Sequence, residues 1–100
     1  MPHTIEITEI ANRDLEGIKR FYRQQIIDAM KQQLAHEPTS GTRNRKMLIE
    51  FHPDFEHEPP VWRLRVGQFR VFYDVNEGQK TVFVRRVVPK PPHTTTEQIV

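Results

Sequence analysis

Arg63, Arg65 and Arg70 stand close together in the stretch VWRLRVGQFRVFYDV, residues 61–75. Arginine stays protonated, presents a planar fork of N–H donors that matches phosphate oxygens, and stacks on flat rings. Three such forks within reach of one another suit an anion with several oxygens, such as nucleic acid or a phosphorylated ligand. The plainer reading is a solvated sheet face, with Asp74 and mobile side-chain stems relieving the repulsion.

The elements that must position these arginines follow from the same stretch. A two-residue loop with glycine first, Gly67-Gln68, suits a tight hairpin turn, because glycine accepts a positive φ without a Cβ clash. The predicted pairs are then Val66 with Phe69, Arg65 with Arg70, Leu64 with Val71, Arg63 with Phe72 and Trp62 with Tyr73. Side chains alternate across a strand. One face therefore carries Trp62, Leu64, Val66, Phe69, Val71, Tyr73 and Val75. The other gathers Val61, Arg63, Arg65, Arg70, Phe72 and Asp74. Facing like charges on a sheet oppose pairing, so Arg65 opposite Arg70 is an arrangement with a cost.

Upstream, Ile5 and Ile7 alternate with polar residues and predict a short strand. Leu15, Ile18, Tyr22, Ile26, Met30 and Leu34 recur at helical spacing. That period allows one long helix, or two with a break near Lys19-Arg20. Residues 38–60 read mostly as loop, with MLIEF as a short extended piece. Downstream, Asn76-Glu77-Gly78 predicts a three-residue hairpin loop with Gly78 left-handed. Thr81–Val88 is the last strand. A three-residue loop puts Arg86 on the arginine face, and a four-residue loop puts Arg85 there. The first is the expectation. The order of elements is that of a single α+β domain over residues 1–100.

Composition excludes several kinds of chemistry. The 100 residues contain no cysteine, which removes disulfides, thiolate metal sites and cysteine nucleophiles and suits a reducing, cytoplasmic setting. No apolar run approaches a membrane span, and the N-terminal residues lack the pattern of a signal peptide. The net charge is only +2, but basic residues outnumber acidic ones only after residue 60, which points to an anionic partner. His52, Asp54, Glu56, His57 and Glu58 lie in a proline-interrupted run without a recognised ligand spacing. We read it as a solvated acidic loop, and no metal or cofactor is expected.

The run RLRVGQFRVFY, followed by a turn and a valine-rich strand, resembles the signature hairpin of the RelE/ParE toxin superfamily. The helical stretch and the basic segment TRNRK before the hairpin are similar as well, so the resemblance covers nearly the whole chain. It implies two N-terminal helices packed on a small antiparallel sheet. It also implies a toxin of a type II toxin–antitoxin module, paired with a cognate antitoxin protein. RelE-like members cut mRNA on the ribosome, whereas ParE-like members act on DNA gyrase. By position in the motif, Arg63, Arg65 and Arg70 are similar to the residues that bind the scissile phosphate in the RNA-cutting branch. Those toxins carry basic residues and a tyrosine after the last strand. Here the segment PKPPHTTTEQIV offers Lys90 and His93 and no tyrosine.

RNA cleavage without a metal requires removal of the 2′-OH proton, stabilisation of the charge growing on the phosphate, and protonation of the 5′-oxygen. Arginine serves the second need. Lys90 and His93 are the candidates for proton transfer, since imidazole ordinarily titrates near neutrality. Phe72 and Arg86, expected on the arginine face, are candidates for RNA binding by stacking and by charge. Phe72 is equally suited to packing beneath a neighbouring loop. Three functions are compatible with these residues. They are a metal-independent endoribonuclease, a ParE-like toxin that inhibits gyrase without cutting RNA, and a degenerate, non-catalytic binding module.

Overall fold

The computed structural model describes residues 2–90. Their order is β1 (Thr4–Ile7), α1 (Glu9–Glu16), α2 (Arg20–Leu34), β2 (Arg45–Leu48), β3 (Val61–Val66), β4 (Phe69–Asn76) and β5 (Thr81–Pro89). The strands form one sheet in the order β1-β5-β4-β3-β2. β1 runs parallel to β5, while β2, β3, β4 and β5 pair antiparallel. The small antiparallel sheet implied by the family resemblance is therefore corrected to a five-stranded mixed sheet. The physical reason is β1, which precedes both helices and closes the far edge beside β5.

The helical stretch breaks at Gly17–Lys19. Thr8 caps α1: its hydroxyl accepts from the Ala11 N–H and donates to the Val84 carbonyl at 2.8 Å. That one side chain satisfies a free helix donor and ties the helix start to β5. At the break, Arg23 donates to the Ile18 carbonyl at 3.2 Å, so the corner between the helices is held from α2. Leu15, Ile26, Met30 and Leu34 of the apolar stripe are buried, Ile18 is partly buried, and Tyr22 is exposed.

The hairpin pairs Trp62 with Tyr73, Arg63 with Phe72, Leu64 with Val71, Arg65 with Arg70 and Val66 with Phe69. This is the register read from the two-residue loop. Gly67 has φ +56°, and Gln68 is not left-handed, as a turn with glycine first requires. Trp62, Leu64, Val71 and Tyr73 are buried against Leu15, Ile26, Met30 and Leu34, with Phe69 partly buried beside them. Each large apolar side chain buried there is worth about 1.5–3 kcal/mol. The Tyr73 hydroxyl donates to the Pro38 carbonyl, and burial pushes its phenol well above the ordinary value. Among the described residues, no helix is long and apolar enough to cross a membrane.

The second hairpin differs from expectation. Asn76 pairs with Thr81, so the loop has four residues, and Lys80 rather than Gly78 takes the left-handed conformation at φ +51°. A bulge follows, because Phe72 pairs with Arg86 while Tyr73 pairs with Val84, leaving Arg85 extra. The four-residue loop reverses the expected roles of Arg85 and Arg86, and the bulge brings Val87 opposite Val71.

The Gly67 turn yields a direct test. A Cβ built there meets nothing within 4 Å, so the cost of substitution is backbone strain alone. Gly67→Val is expected to lower stability by about 1–2 kcal/mol, and Gly67→Asn by less, because asparagine visits the left-handed region more readily. Urea unfolding midpoints of the three chains check this order.

Candidate functional site

The sheet face away from the helices carries the three arginines, and two of them are buried. Arg63 is 6% exposed and Arg70 4%, while Arg65 is half-buried. Arg65 and Arg70 face each other across β3 and β4. Arg70 donates from Nη1 to the Gly67 and Phe69 carbonyls at 3.1 and 2.9 Å. Arg65 reaches the Asn44 side-chain oxygen at 3.4 Å. Among the described residues Arg63 has no hydrogen-bond partner, and the buried Nε atoms of Arg63 and Arg70 are both unpaired. Among the described residues no carboxylate lies within ion-pair distance of the three. Burial lowers the affinity of the Arg63 guanidinium for its proton, and the charge of Arg65 adds to this. Burial does the same for Arg70, followed by repulsion from Arg63 and from Arg65.

One carboxylate does share this face, and it is already used. Asp74 is 1% exposed. It is gripped by Arg85 through Nε at 2.7 Å and Nη2 at 3.2 Å, a two-pronged charge-assisted pair. Asp74 also accepts from the Glu58 N–H at 3.0 Å, and Arg85 lies 3.4 Å from Glu56. Arg85 therefore occupies the position on the face that was expected of Arg86. Arg86 instead turns to the helical side and pairs with Asp14 of α1 at 2.7 Å, while the Val87 N–H donates to the same carboxylate. The four-residue loop is the physical cause of this correction.

The Asp74–Arg85 pair anchors residues 56–58 against the sheet. Phe51 and Phe55 of the same acidic loop pack on Phe72, with ring centroids 5.7 and 6.2 Å away. Phe72 is on the arginine face, as read, but it is 4% exposed beneath this loop together with Leu48 and Val61. A ring so covered cannot stack on a base, and the expectation of RNA stacking at Phe72 is corrected accordingly. Among the described residues no three His, Asp or Glu side chains converge to hold a metal ion.

Lys90 is exposed, and its N–H donates to the Gln68 carbonyl at 2.7 Å. This bond places the Lys90 backbone at the hairpin turn, beyond the Arg70–Val88 pair. His93 lies outside the described residues. Tyr73, as the register implied, belongs to the core. The site residue that sequence reading missed is Lys46. It pairs with Arg63 from the edge strand β2 and is exposed. Its only advance signal was the basic composition of TRNRK.

Among the described residues no carboxylate neutralises these guanidinium groups, and donors so arranged are chemically suited to an anion. The model of the ParE toxin of type II toxin–antitoxin systems, parDE, matches residues 5–90. The chain belongs to the RelE/ParE toxin superfamily. It is similar in fold to the RelBE2 toxin–antitoxin complex of Mycobacterium tuberculosis, with a TM-score of 0.70 and 24% identity over 90% of this chain and 100% of that one. The archaeal RelE–RelB complex of Pyrococcus horikoshii also has a TM-score of 0.70, at 20% identity over 92% of this chain and 99% of that one. The isolated RelE toxin of E. coli has a TM-score of 0.61 and 19% identity over 95% and 89% of the two chains. A search of curated protein sequences finds no match. The shared fold accounts for the hairpin and the helical pair, while the charge balance of the face is read from this chain's own residues.

Removing a buried cation that has no partner and removing a buried anion that has one should have opposite effects. Arg63→Leu is expected to raise the melting temperature by about 4 °C, the equivalent of roughly 1 kcal/mol in a domain of this size. Arginine keeps its proton throughout the neutral range. The gain is therefore expected to be constant between roughly pH 5 and 9, to fade as pH rises through the lowered value of the folded guanidinium, and to be gone above the ordinary value of the unfolded one. Asp74→Asn strands Arg85 and is expected to cost about 3 kcal/mol. Calorimetric melts of the two variants check both signs.

Proposed function

We propose that this chain is the toxin of a type II toxin–antitoxin module and that it acts on RNA as a metal-independent endoribonuclease through its arginine face. The observation that carries this reading is the trio Arg63, Arg65 and Arg70, buried or half-buried, with no acidic partner among the described residues. A structural ion cluster would be neutralised within the protein. This one is left for a ligand, at the sheet position where the family resemblance puts the scissile phosphate.

In such a reaction the 2′-oxygen attacks the phosphorus, the pentavalent phosphate gains charge, and the 5′-oxygen leaves with a proton. Fixed guanidinium donors stabilise that added charge and need no reorganisation during the reaction. Arginine does not take the 2′-OH proton, because its guanidinium is already protonated at neutral pH and has no acceptor to receive one. Lys90 beside the turn and His93 in the following segment are the groups proposed for proton transfer. mRNA on the ribosome is the proposed substrate.

Two observations favour a second reading, inhibition of DNA gyrase. The matching family model is described as that of a ParE toxin, and the segment after β5 has no tyrosine. On either reading the proposed partner is a cognate antitoxin. The solved relatives from M. tuberculosis and P. horikoshii are toxin–antitoxin complexes. Acidic antitoxin residues would meet the arginine face, and apolar ones would fit a groove of about 580 Å³ lined by Ile18, Tyr22, Phe69 and Val87.

Induction of the chain alone separates the two targets: mRNAs cut within codons support the ribonuclease, and gyrase–DNA adducts support the other reading. For the ribonuclease, Arg70→Ala is expected to slow cleavage of ribosome-bound mRNA by about 100-fold, the scale of losing one donor to a developing oxyanion. Arg70→Lys keeps the charge and loses the fork, so it is expected to rescue only part of that loss. His93→Ala is expected to cost about 100-fold if it moves a proton. Single-turnover cleavage rates measure all three. Full toxicity with Arg70 and His93 both replaced would refute the ribonuclease reading.

A further inference from the structure

We infer that Lys46 forms a second phosphate subsite, so that the face binds at least two consecutive phosphates of a single-stranded polynucleotide. The inference rests on the reading that the arginine trio holds phosphate, and it extends that reading to a neighbouring position.

Lys46 pairs directly with Arg63, and Phe72 completes the row on β4. Within β2, Arg45 is turned to α2, where it donates to the Gln33 carbonyl. Leu48 packs with Val61 and Phe72 on the opposite face. Strand alternation puts Lys46 on the same face as Leu48, and therefore on the face of the arginines. Lys46 is exposed and has no ion-pair partner among the described residues. Its in-register neighbour Arg63 is nine-tenths buried with an orphaned Nε. A free, mobile cation thus stands beside a fixed, unneutralised one.

Spacing and exits decide what these two cations can share. Adjacent strands lie about 4.8 Å apart, and successive same-face residues along a strand about 7 Å. The cationic groups at Lys46, Arg63, Arg65 and Arg70 are therefore spread over more than one phosphate. A chain leaving the trio towards the far end of the hairpin meets the apolar cluster of Phe51, Phe55 and Phe72. Towards β5 it meets Val88 opposite Arg70, and Arg86 is turned away to Asp14. Over the β2 edge it meets Lys46. A flexible lysine at that exit holds a phosphate as a point charge without fixing its orientation. Lys46 is accordingly a binding residue for the flanking phosphate, with no part in the chemistry at the trio.

The test compares a one-phosphate probe with a many-phosphate probe. Inorganic phosphate and a single-stranded DNA decamer, which lacks the 2′-OH and is not cut, are titrated into the unmodified chain, Lys46→Gln and Arg70→Leu across a range of salt concentrations. Lys46→Gln is expected to bind phosphate as the unmodified chain does. It should bind the decamer about 5- to 10-fold more weakly at low salt, with the slope of log K against log salt reduced by about 0.7. Arg70→Leu is expected to weaken both probes, with its melt confirming that it is folded. An unchanged decamer slope in Lys46→Gln, with both probes weakened in Arg70→Leu, overturns the subsite and leaves the trio intact. Unaltered binding of both probes by Arg70→Leu, or no binding by the unmodified chain, overturns the reading on which the subsite rests.

Discussion

An uncompensated positive charge organises this molecule. The described face of β3 and β4 contains one buried carboxylate, Asp74, and Arg85 claims both of its oxygens. Among the described residues, Arg70 is left with backbone carbonyls, Arg65 with one asparagine oxygen and the Arg63 side chain with no hydrogen-bond partner. Removing charges from water without pairing them is costly, and a fold that carries such a group must offset it elsewhere. Here the opposite face supplies the offset, where Trp62, Leu64, Val71 and Tyr73 pack on the helical stripe. A site held at the expense of stability is what binding a multiply charged anion requires, because the donors are already desolvated and aimed before the ligand arrives.

The same pair that denies the trio a counter-ion also shapes its surroundings. Asp74 and Arg85 hold Glu56 and Glu58 at the sheet, and the aromatic residues of that loop seal Phe72. The Glu56 side chain is thereby kept at the Arg85 end of the face. On the helical side, Asp14 performs a parallel task by taking Arg86 and the Val87 N–H. Two carboxylates, one on each face, account for both β5 arginines. Among the described strand residues, the cations left without a carboxylate are those of the first hairpin and its edge strand.

The first hairpin was legible in the sequence because its information is local. A two-residue loop sets the parity of every pair, and parity alone separates Trp62, Leu64, Val71 and Tyr73 from Arg63, Arg65 and Arg70. The helical stripe was legible for the same reason. The second hairpin was not, since Gly78 is the residue chemistry favours for a left-handed position, yet Lys80 adopts it at φ +51°. The bulge at Arg85 then depends on partners far along the chain: Asp74 for Arg85, and Asp14, 72 residues away, for Arg86. Phe72 was placed on the correct face, but its cover comes from Phe51 and Phe55, in a proline-rich loop with no period to read. Lys46 escaped notice because β2 is four residues long, too short for alternation to declare itself. Long-range pairing, rather than local propensity, separates what could be read from what could not.

The central claim is that the trio, and not the β5 arginines, is the open anion site. Nuclear magnetic resonance of the arginine Nε–H groups tests it most directly, during titration with inorganic pyrophosphate at constant ionic strength. The account predicts that the signals of Arg63, Arg65 and Arg70 move together and saturate, because their guanidinium groups gain an anionic partner. The signals of Arg85 and Arg86 should stay in place, because Asp74 and Asp14 already hold them. Equal movement of all five, or movement confined to Arg85 and Arg86, would contradict it.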